Sequence, residues 1–295
     1  MDALELVRLH PLMARTQGRP EIALALIDGP VVLDHPDLSG ARIREIPGSP
    51  GISCSGRESV ACTHGTFVAG MLAARRGAPA PAICPGCTLI LRPIFAEDTH
   101  ATGLMPSASP EELGKAIVDV VSAGASVINL SAALAQPSAK GERQLTEALD
   151  YAASRGVLVV AAAGNQGSVG GSAITCHSWV IPVVCCDLQG KPTAESNLGA
   201  SMGRRGLKVP AANITSLGTN GQSQTLGGTS AAAPFVTGAI ALLWSEFPAA
   251  RAGELKMAIT RRDRQLSKTI LPPLLNAWAA YQVLAATHHG ETCHE

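Results

Sequence analysis

The chain has 295 residues, 46% of them hydrophobic and 16% charged, which is long enough and apolar enough to bury a large core. Twenty-three basic residues balance 23 acidic ones, and this zero formal charge argues against a nucleic-acid-coating or polybasic membrane-surface protein. With Gly 30 and Pro 20 at ordinary counts, disorder and collagen-like structure are excluded, and with aromatics at 3% the core must come from Ala, Val, Leu and Ile.

Residues 1–20 scatter Asp2, Glu5, Arg8, Arg15 and Arg19 among apolar positions, without the basic start and apolar run of a secretory signal, and read as an N-terminal extension. Ile22 to Ile27 reads as a strand that ends at Asp28-Gly29-Pro30, and His64 to Arg75 as a helix. Thr88 to Ile94 is an apolar, strand-like run, and Pro110 to Ala123 has helical spacing. Ser126 to Leu130 reads as a strand, Glu142 to Arg155 as a helix and Val157 to Ala162 as a strand. Val180 to Cys185 and Leu207 to Val209 add short strands, and Ser230 to Glu246 is a long apolar helix. Strands that are apolar on both faces and alternate with helices indicate a mostly parallel sheet covered on both sides. The reading is one α/β domain over residues 21–285, followed by a polar tail over 286–295. No stretch of about 18 uncharged apolar residues suits a membrane span, so the expected location is the cytoplasm.

The eight cysteines are Cys54, Cys62, Cys84, Cys87, Cys176, Cys185, Cys186 and Cys293. Cys84-Pro85-Gly86-Cys87 has the spacing of half a zinc site or a redox pair, but a second such pair is missing. Structural thiols are the main reading, beside local disulfides and zinc. His288, His289, Cys293 and His294 read as a frayed polar end rather than a metal trap. No metal and no cofactor is expected.

Ligands of parallel sheets sit beyond the carboxyl ends of the strands, and there the chain places Asp28, Ser131 and Asn165. Four segments carry the chemistry: Leu26-Ile27-Asp28-Gly29-Pro30, His64-Gly65-Thr66-Phe67-Val68-Ala69-Gly70, Ala162-Ala163-Gly164-Asn165 and Gly228-Thr229-Ser230-Ala231-Ala232-Ala233-Pro234. Taken singly, Asp28 is equally a turn cap, His64 a structural histidine, Asn165 a turn residue and Ser230 an N-cap. Together they offer an acid, an imidazole, an amide and a hydroxyl. A serine hydroxyl is a poor nucleophile at pH 7 and needs a base within reach, which in turn needs an acceptor to fix its tautomer. In that scheme Ser230 attacks, His64 is base and then acid, and Asp28 orients His64. The Asn165 amide and the Ser230 N–H bind the oxyanion, aided by the positive end of the Ser230 helix. Pro234 is expected within the first turn or so, where it costs no necessary helical bond.

In this order the segments resemble the subtilisin-like serine proteases over roughly residues 20–285. Ile128-Asn129-Leu130-Ser131 is similar to that family's substrate-binding strand, and His35-Pro36-Asp37-Leu38 follows Asp28 as the family would have it. The resemblance implies a three-layer subtilisin-like fold and a peptide substrate held along strand edges. Leu130, Ser131, Ala132, Ala133, Ala163 and Gly164 would wall the specificity pocket. Ala132-Ala133-Leu134 replaces the usual Leu-Gly-Gly, so the pocket is narrowed or reshaped. Phe67 and the pair Glu97-Asp98 are further candidates for shaping substrate preference, the pair reading more simply as a solvated face.

Asp28-Gly29-Pro30, Cys84 to Phe95, Asn197-Leu198-Gly199, Gly203 to Leu207 and the extension of the Ser230 segment through Gly238 resemble one subgroup, the cyanobactin-type maturation proteases. These trim or cyclise ribosomally made precursor peptides. Only 27 residues precede Asp28, too few for the folding pro-domain of secreted subtilisins. The loop Arg75-Arg76-Gly77-Ala78-Pro79 lacks carboxylates, so the family's calcium loop is expected to be lost, with Asp37 left as an isolated candidate ligand. The 35 residues between Asp28 and His64, with Pro47, Gly48, Pro50 and Gly51 among them, leave hardly any room for the added helical cap of the macrocyclising members. Hydrolysis, most simply leader removal, is therefore the expected reaction. A macrocyclase and a peptide-binding pseudoenzyme are the alternatives. Cys54 and Cys62 lie in the same loop, where a disulfide between them would pin it.

Overall fold

The computed structural model describes residues 2–46, 54, 59–95, 108–131, 142–261 and 269–288. Two short helices, α1 (Ala3–Leu6) and α2 (His10–Arg15), precede the sheet. Its strands are β1 (Ala23–Asp28), β2 (Arg42–Glu45), β3 (Thr88–Pro93), β4 (Val127–Leu130), β5 (Leu158–Ala162), β6 (Val180–Cys186) and β7 (Leu207–Pro210). A separate antiparallel hairpin is formed by β8 (Ile214–Leu217) and β9 (Ser223–Leu226). The remaining helices are α3 (Val60–Ala73), α4 (Pro110–Ser122), α5 (Glu142–Ser154), α6 (Ala173–Cys176), α7 (Ala200–Arg205), α8 (Thr229–Glu246), α9 (Ala252–Ile259) and α10 (Ala277–His288).

The sheet order is β2-β3-β1-β4-β5-β6-β7, with every pair parallel. From β1 the chain runs out to the edge strand β2, returns to β3 beside β1, then crosses to β4 on the other side. The crevice between β1 and β4 is thus the switch point, where ligands of such sheets bind. Strand side chains alternate between faces. Leu24 and Leu26 join the core containing Phe67 of α3 and Phe235 of α8, whereas Ala23, Ala25 and Ile27 join the core containing Leu113 of α4 and Leu145 of α5. The same alternation turns Asp28 toward α3 and α8. On β4, Ile128 and Leu130 face α4 and α5, so Asn129 and Ser131 face α8.

Two differences from the expected elements matter for the site. Helix α3 begins at Val60, because the Ser59 side chain caps it by accepting from the Cys62 N–H at 3.4 Å. His64 therefore lies in the second turn, not at the helix start. Strand β2, not foreseen, pairs with β3 at the sheet edge, where Arg42, Arg44 and Glu45 remain exposed.

Residues near both ends belong to the same core. Val7, Leu9 and Leu12 are fully buried, and the Val7 carbonyl accepts from the Ala277 N–H at 3.0 Å. Helix α10 continues through His288, past the boundary expected at 285. No helix among the described residues is long and apolar enough to cross a membrane.

Candidate active site

Asp28 ends β1 and is completely buried. Its Oδ1 accepts from the Gly29 N–H at 2.6 Å and lies 2.6 Å from His64 Nδ1. The pairing requires α3 to rest directly on the turn after β1. A Cβ at Gly29 would stand 2.0 Å from the Ala61 carbonyl oxygen, and one at Gly65 would stand 2.4 Å from the Gly29 oxygen, so both positions need glycine for space. The carboxylate fixes the ring with the proton on Nδ1 and leaves Nε2 free to accept a proton. Burial alone would pull the His64 imidazole down, but the charge of Asp28 and the hydrogen bond to it outweigh burial and hold the pKa above the usual histidine value.

Ser230 is half-buried at the second position of α8. The N-cap of that helix is Gly228, which makes no side-chain cap bond, so the capping alternative for Ser230 is overturned. Gly228 has φ +100°, and a Cβ there would crowd the Asn165 side chain at 3.1 Å. The Ser230 N–H is among the first amides of α8, which have no carbonyl within the helix to bond. No hydrogen bond between the Ser230 and His64 side chains occurs among the described residues.

Pro234 also departs from expectation. It stands inside α8, and its missing N–H is the one that would have bonded the Ser230 carbonyl four residues back. The Ser131 hydroxyl donates to that carbonyl instead, at 3.2 Å. Ser131 in turn accepts from Asn129 Nδ2 at 2.7 Å, and Asn129 Oδ1 accepts from the Thr237 hydroxyl at 2.8 Å. All three side chains are buried, and the relay ties β4 to α8. Because Leu130 pairs with Ile27, Ser131 flanks Asp28 across the switch point, and the relay draws Ser230 to the same crevice.

Asn165 follows β5 and is exposed. Its Oδ1 accepts from both the N–H and the hydroxyl of Thr229, each at 3.0 Å. An amide N–H can only donate, so the oxygen must face Thr229 and Nδ2 is left to donate elsewhere. The Thr229 hydroxyl also accepts from the Gly164 N–H at 3.2 Å. Thr229, Asn129 and Thr237 stand inside the quoted segments without an individual role there; a small polar residue within a motif gives no signal of its own until the fold pairs it.

Among the expected pocket residues, Leu130, Ser131 and Ala163 are buried at the strand ends, with Gly164 beside them. Ala132 and Ala133 lie outside the described residues, as do Glu97, Asp98, His289, Cys293 and His294. Phe67 does not shape a pocket: it is packed in the core, and its carbonyl accepts from the Ser216 hydroxyl at 2.7 Å.

Away from the crevice, Asp37 Oδ1 lies 2.7 Å from Arg75 Nε, and the Asp37 carbonyl accepts from the Arg75 N–H at 2.9 Å. A guanidinium thus occupies the carboxylate considered as an isolated calcium ligand. No group of three or more metal-capable side chains occurs among the described residues. Cys54 and Cys62 form a disulfide with their Cα atoms 5.6 Å apart, joining the loop to the first turn of α3. Cys84 and Cys87 are free and buried, and the hydrogen bond to Cys87, aided by burial, keeps the Cys84 thiol protonated well above its usual range.

A model of the subtilase family matches residues 19–272. The chain is 26% identical over 286 residues to subtilisin DY of Bacillus licheniformis, covering 95% of this chain and 97% of the relative. Among solved structures it is similar to the prenylagaramide maturation protease PagA, with 29% identity and a TM-score of 0.80 over 94% of this chain and 98% of that one. It is also similar to a mutant of the protease domain of PatA, with 27% identity and a TM-score of 0.80 over 92% of this chain and 97% of that one.

Proposed function

The chain belongs to the subtilase family and is a serine-type endopeptidase, and on that premise we propose that Asp28, His64 and Ser230 are its triad and that it trims a ribosomally made precursor peptide. The observation that carries the triad is the buried Asp28 carboxylate 2.6 Å from His64 Nδ1, at the switch point to which Ser131 also ties the first turn of α8.

In this mechanism the peptide lies along the strand ends, with Leu130, Ser131, Ala163 and Gly164 beside the residue that precedes the scissile bond. Ser230 Oγ attacks the carbonyl carbon while its proton passes to His64 Nε2, and Asp28 stabilises the imidazolium. The carbonyl oxygen becomes an oxyanion, which accepts from Asn165 Nδ2 and the Ser230 N–H. His64 then gives its proton to the leaving amine, and the C–N bond breaks to leave an acyl-enzyme. Water attacks this ester as His64 takes its proton. Collapse returns that proton to Ser230 and frees a carboxylic acid. Asn165 is suited to its part because Thr229 occupies its oxygen and leaves the N–H groups available.

The substrate class is supported by the likeness to PagA and PatA and by the sequence segments resembling such maturation proteases. Hydrolysis is favoured over cyclisation by the short span between Asp28 and His64. The test is incubation with a peptide library and precursor-like peptides, followed by sequencing and mass spectrometry. Linear acids cut at one preferred site are expected. Core peptides lighter by one water would mean cyclisation, and binding without turnover would mean a pseudoenzyme.

A further inference from the structure

We propose that Asn197 is the positioning residue for the oxyanion donor, gripping the backbone on both sides of Asn165 so that its amide is presented ready-made to the crevice. This rests on the role given to Asn165 above.

Asn197 Oδ1 accepts from the N–H groups of Gln166, at 3.1 Å, and Ser168, at 3.0 Å. Its Nδ2 donates to the Ala163 carbonyl at 3.2 Å and to Gln166 Oε1 at 2.7 Å. Its own N–H donates to the Gly164 carbonyl at 2.9 Å. A carboxamide has two acceptor sites and two N–H donors, and all four are spent on residues 163–168. These bonds reach the chain before Asn165 and after it and leave Asn165 itself untouched.

The fit is close. Gly164 has φ +102°, and a Cβ there would stand 2.3 Å from Asn197 Nδ2. The flanking chain adds backbone bonds, from the Gly167 N–H to the Glu195 carbonyl at 2.7 Å and from the Leu198 N–H to the Ser168 carbonyl at 2.9 Å. Two independent anchors result: Thr229 orients the Asn165 side chain and Asn197 fixes its backbone. An exposed oxyanion donor is effective only if its direction is set before charge develops, because a donor that must reorganise loses most of its advantage. Aspartate keeps both acceptors but loses both donors and sets a negative charge against the Ala163 carbonyl, so no near-isostere replaces the amide.

The test is a double-mutant cycle in the full chain. Asn197→Asp, with Asn197→Ser as the second variant should the first not fold, is made alone and together with Asn165→Gly; kcat, KM and Tm are measured on a cleaved peptide. With Asn165 present, a folded variant is expected to lose kcat on the order of 10-fold with little change in KM. In the Asn165→Gly background the same change is expected to cost less than about two-fold, because the residue acts through a donor that is gone. An equal kcat loss in both backgrounds, or no loss in a folded variant, would overturn the proposal while leaving the oxyanion role intact. An Asn165→Gly enzyme with undiminished kcat would overturn the oxyanion role and the proposal with it.

Discussion

The Ser131 hydroxyl stands in for a backbone amide at Ser230: it donates at 3.2 Å to the carbonyl that Pro234 leaves without a helical partner. A proline in the second turn of a helix would ordinarily orphan one carbonyl. Here the orphan belongs to the proposed nucleophile, and the residue that satisfies it comes from the strand beside the proposed acid. The bond joins two halves of the site that are far apart in sequence.

Replacing Ser131 with Ala leaves that carbonyl and Asn129 Nδ2 without their partner in a buried setting. The expected cost is about 1–3 kcal/mol of stability, read by urea unfolding, together with a several-fold slower reaction with a serine-directed phosphonate. Thr237→Val, which breaks the far end of the relay, should destabilise similarly but slow the reaction less. Equal slowing by both would argue against a local role for Ser131.

The pH dependence follows from the raised pKa of His64. In the proposed mechanism His64 accepts a proton only when neutral, so kcat/KM should rise with pH through a midpoint above the usual histidine value of about 6.5. Asp28→Asn removes the charge that, together with the hydrogen bond, outweighs burial, and the midpoint should move down as kcat falls by several orders of magnitude. For stability, the contribution of the pair is full below the unfolded histidine pKa and is lost as pH rises through the folded one. A midpoint that does not move in Asp28→Asn would contradict the pairing.

At the Asp37–Arg75 pair a guanidinium supplies the positive charge. Chelators are therefore expected to leave the Tm unchanged. Arg75 is 62% exposed, so Arg75→Met should cost under about 1 kcal/mol. A Tm that falls with EDTA and recovers with calcium would show that a cation contributes after all.

Reducing the Cys54–Cys62 disulfide frees the loop from the turn of α3 that precedes His64. Two more thiols should titrate in denaturant after reduction than before. Cys54→Ser should lower stability by about 2–3 kcal/mol, measured by denaturant unfolding. Identical thiol counts before and after reduction would remove the bridge.

Much of this was legible in the sequence for physical reasons. β1 and β5 are apolar up to the polar residues that follow their last apolar positions, and β4 is apolar apart from Asn129, because both faces of the sheet are covered; the polar residues at the strand ends line the crevice. β2 was not legible: Arg42-Ile43-Arg44-Glu45 has one apolar residue, because an edge strand needs little burial. The hairpin of β8 and β9 is similarly obscure, since Ser223-Gln224-Thr225 is polar and the strand is half exposed. The start of α3 was missed because its cap, Ser59, precedes the conspicuous histidine motif. Asp28, His64, Asn165 and Ser230 stand out because the proposed chemistry needs those residue types. Asn129, Thr237 and Asn197 fall within segments that the sequence marks, but their individual roles are not legible, because they bond partners up to 108 positions away.

In the proposed mechanism Ser230 attacks with His64 as its base. The most direct measurement is the site and rate of labelling by a fluorophosphonate, read by peptide mass spectrometry. The account predicts one adduct, on Ser230, lost in Ser230→Ala along with peptidase activity and strongly slowed in His64→Ala. An enzyme that cleaves peptide with Ser230 unlabelled, or that keeps its activity as Ser230→Ala, would contradict it.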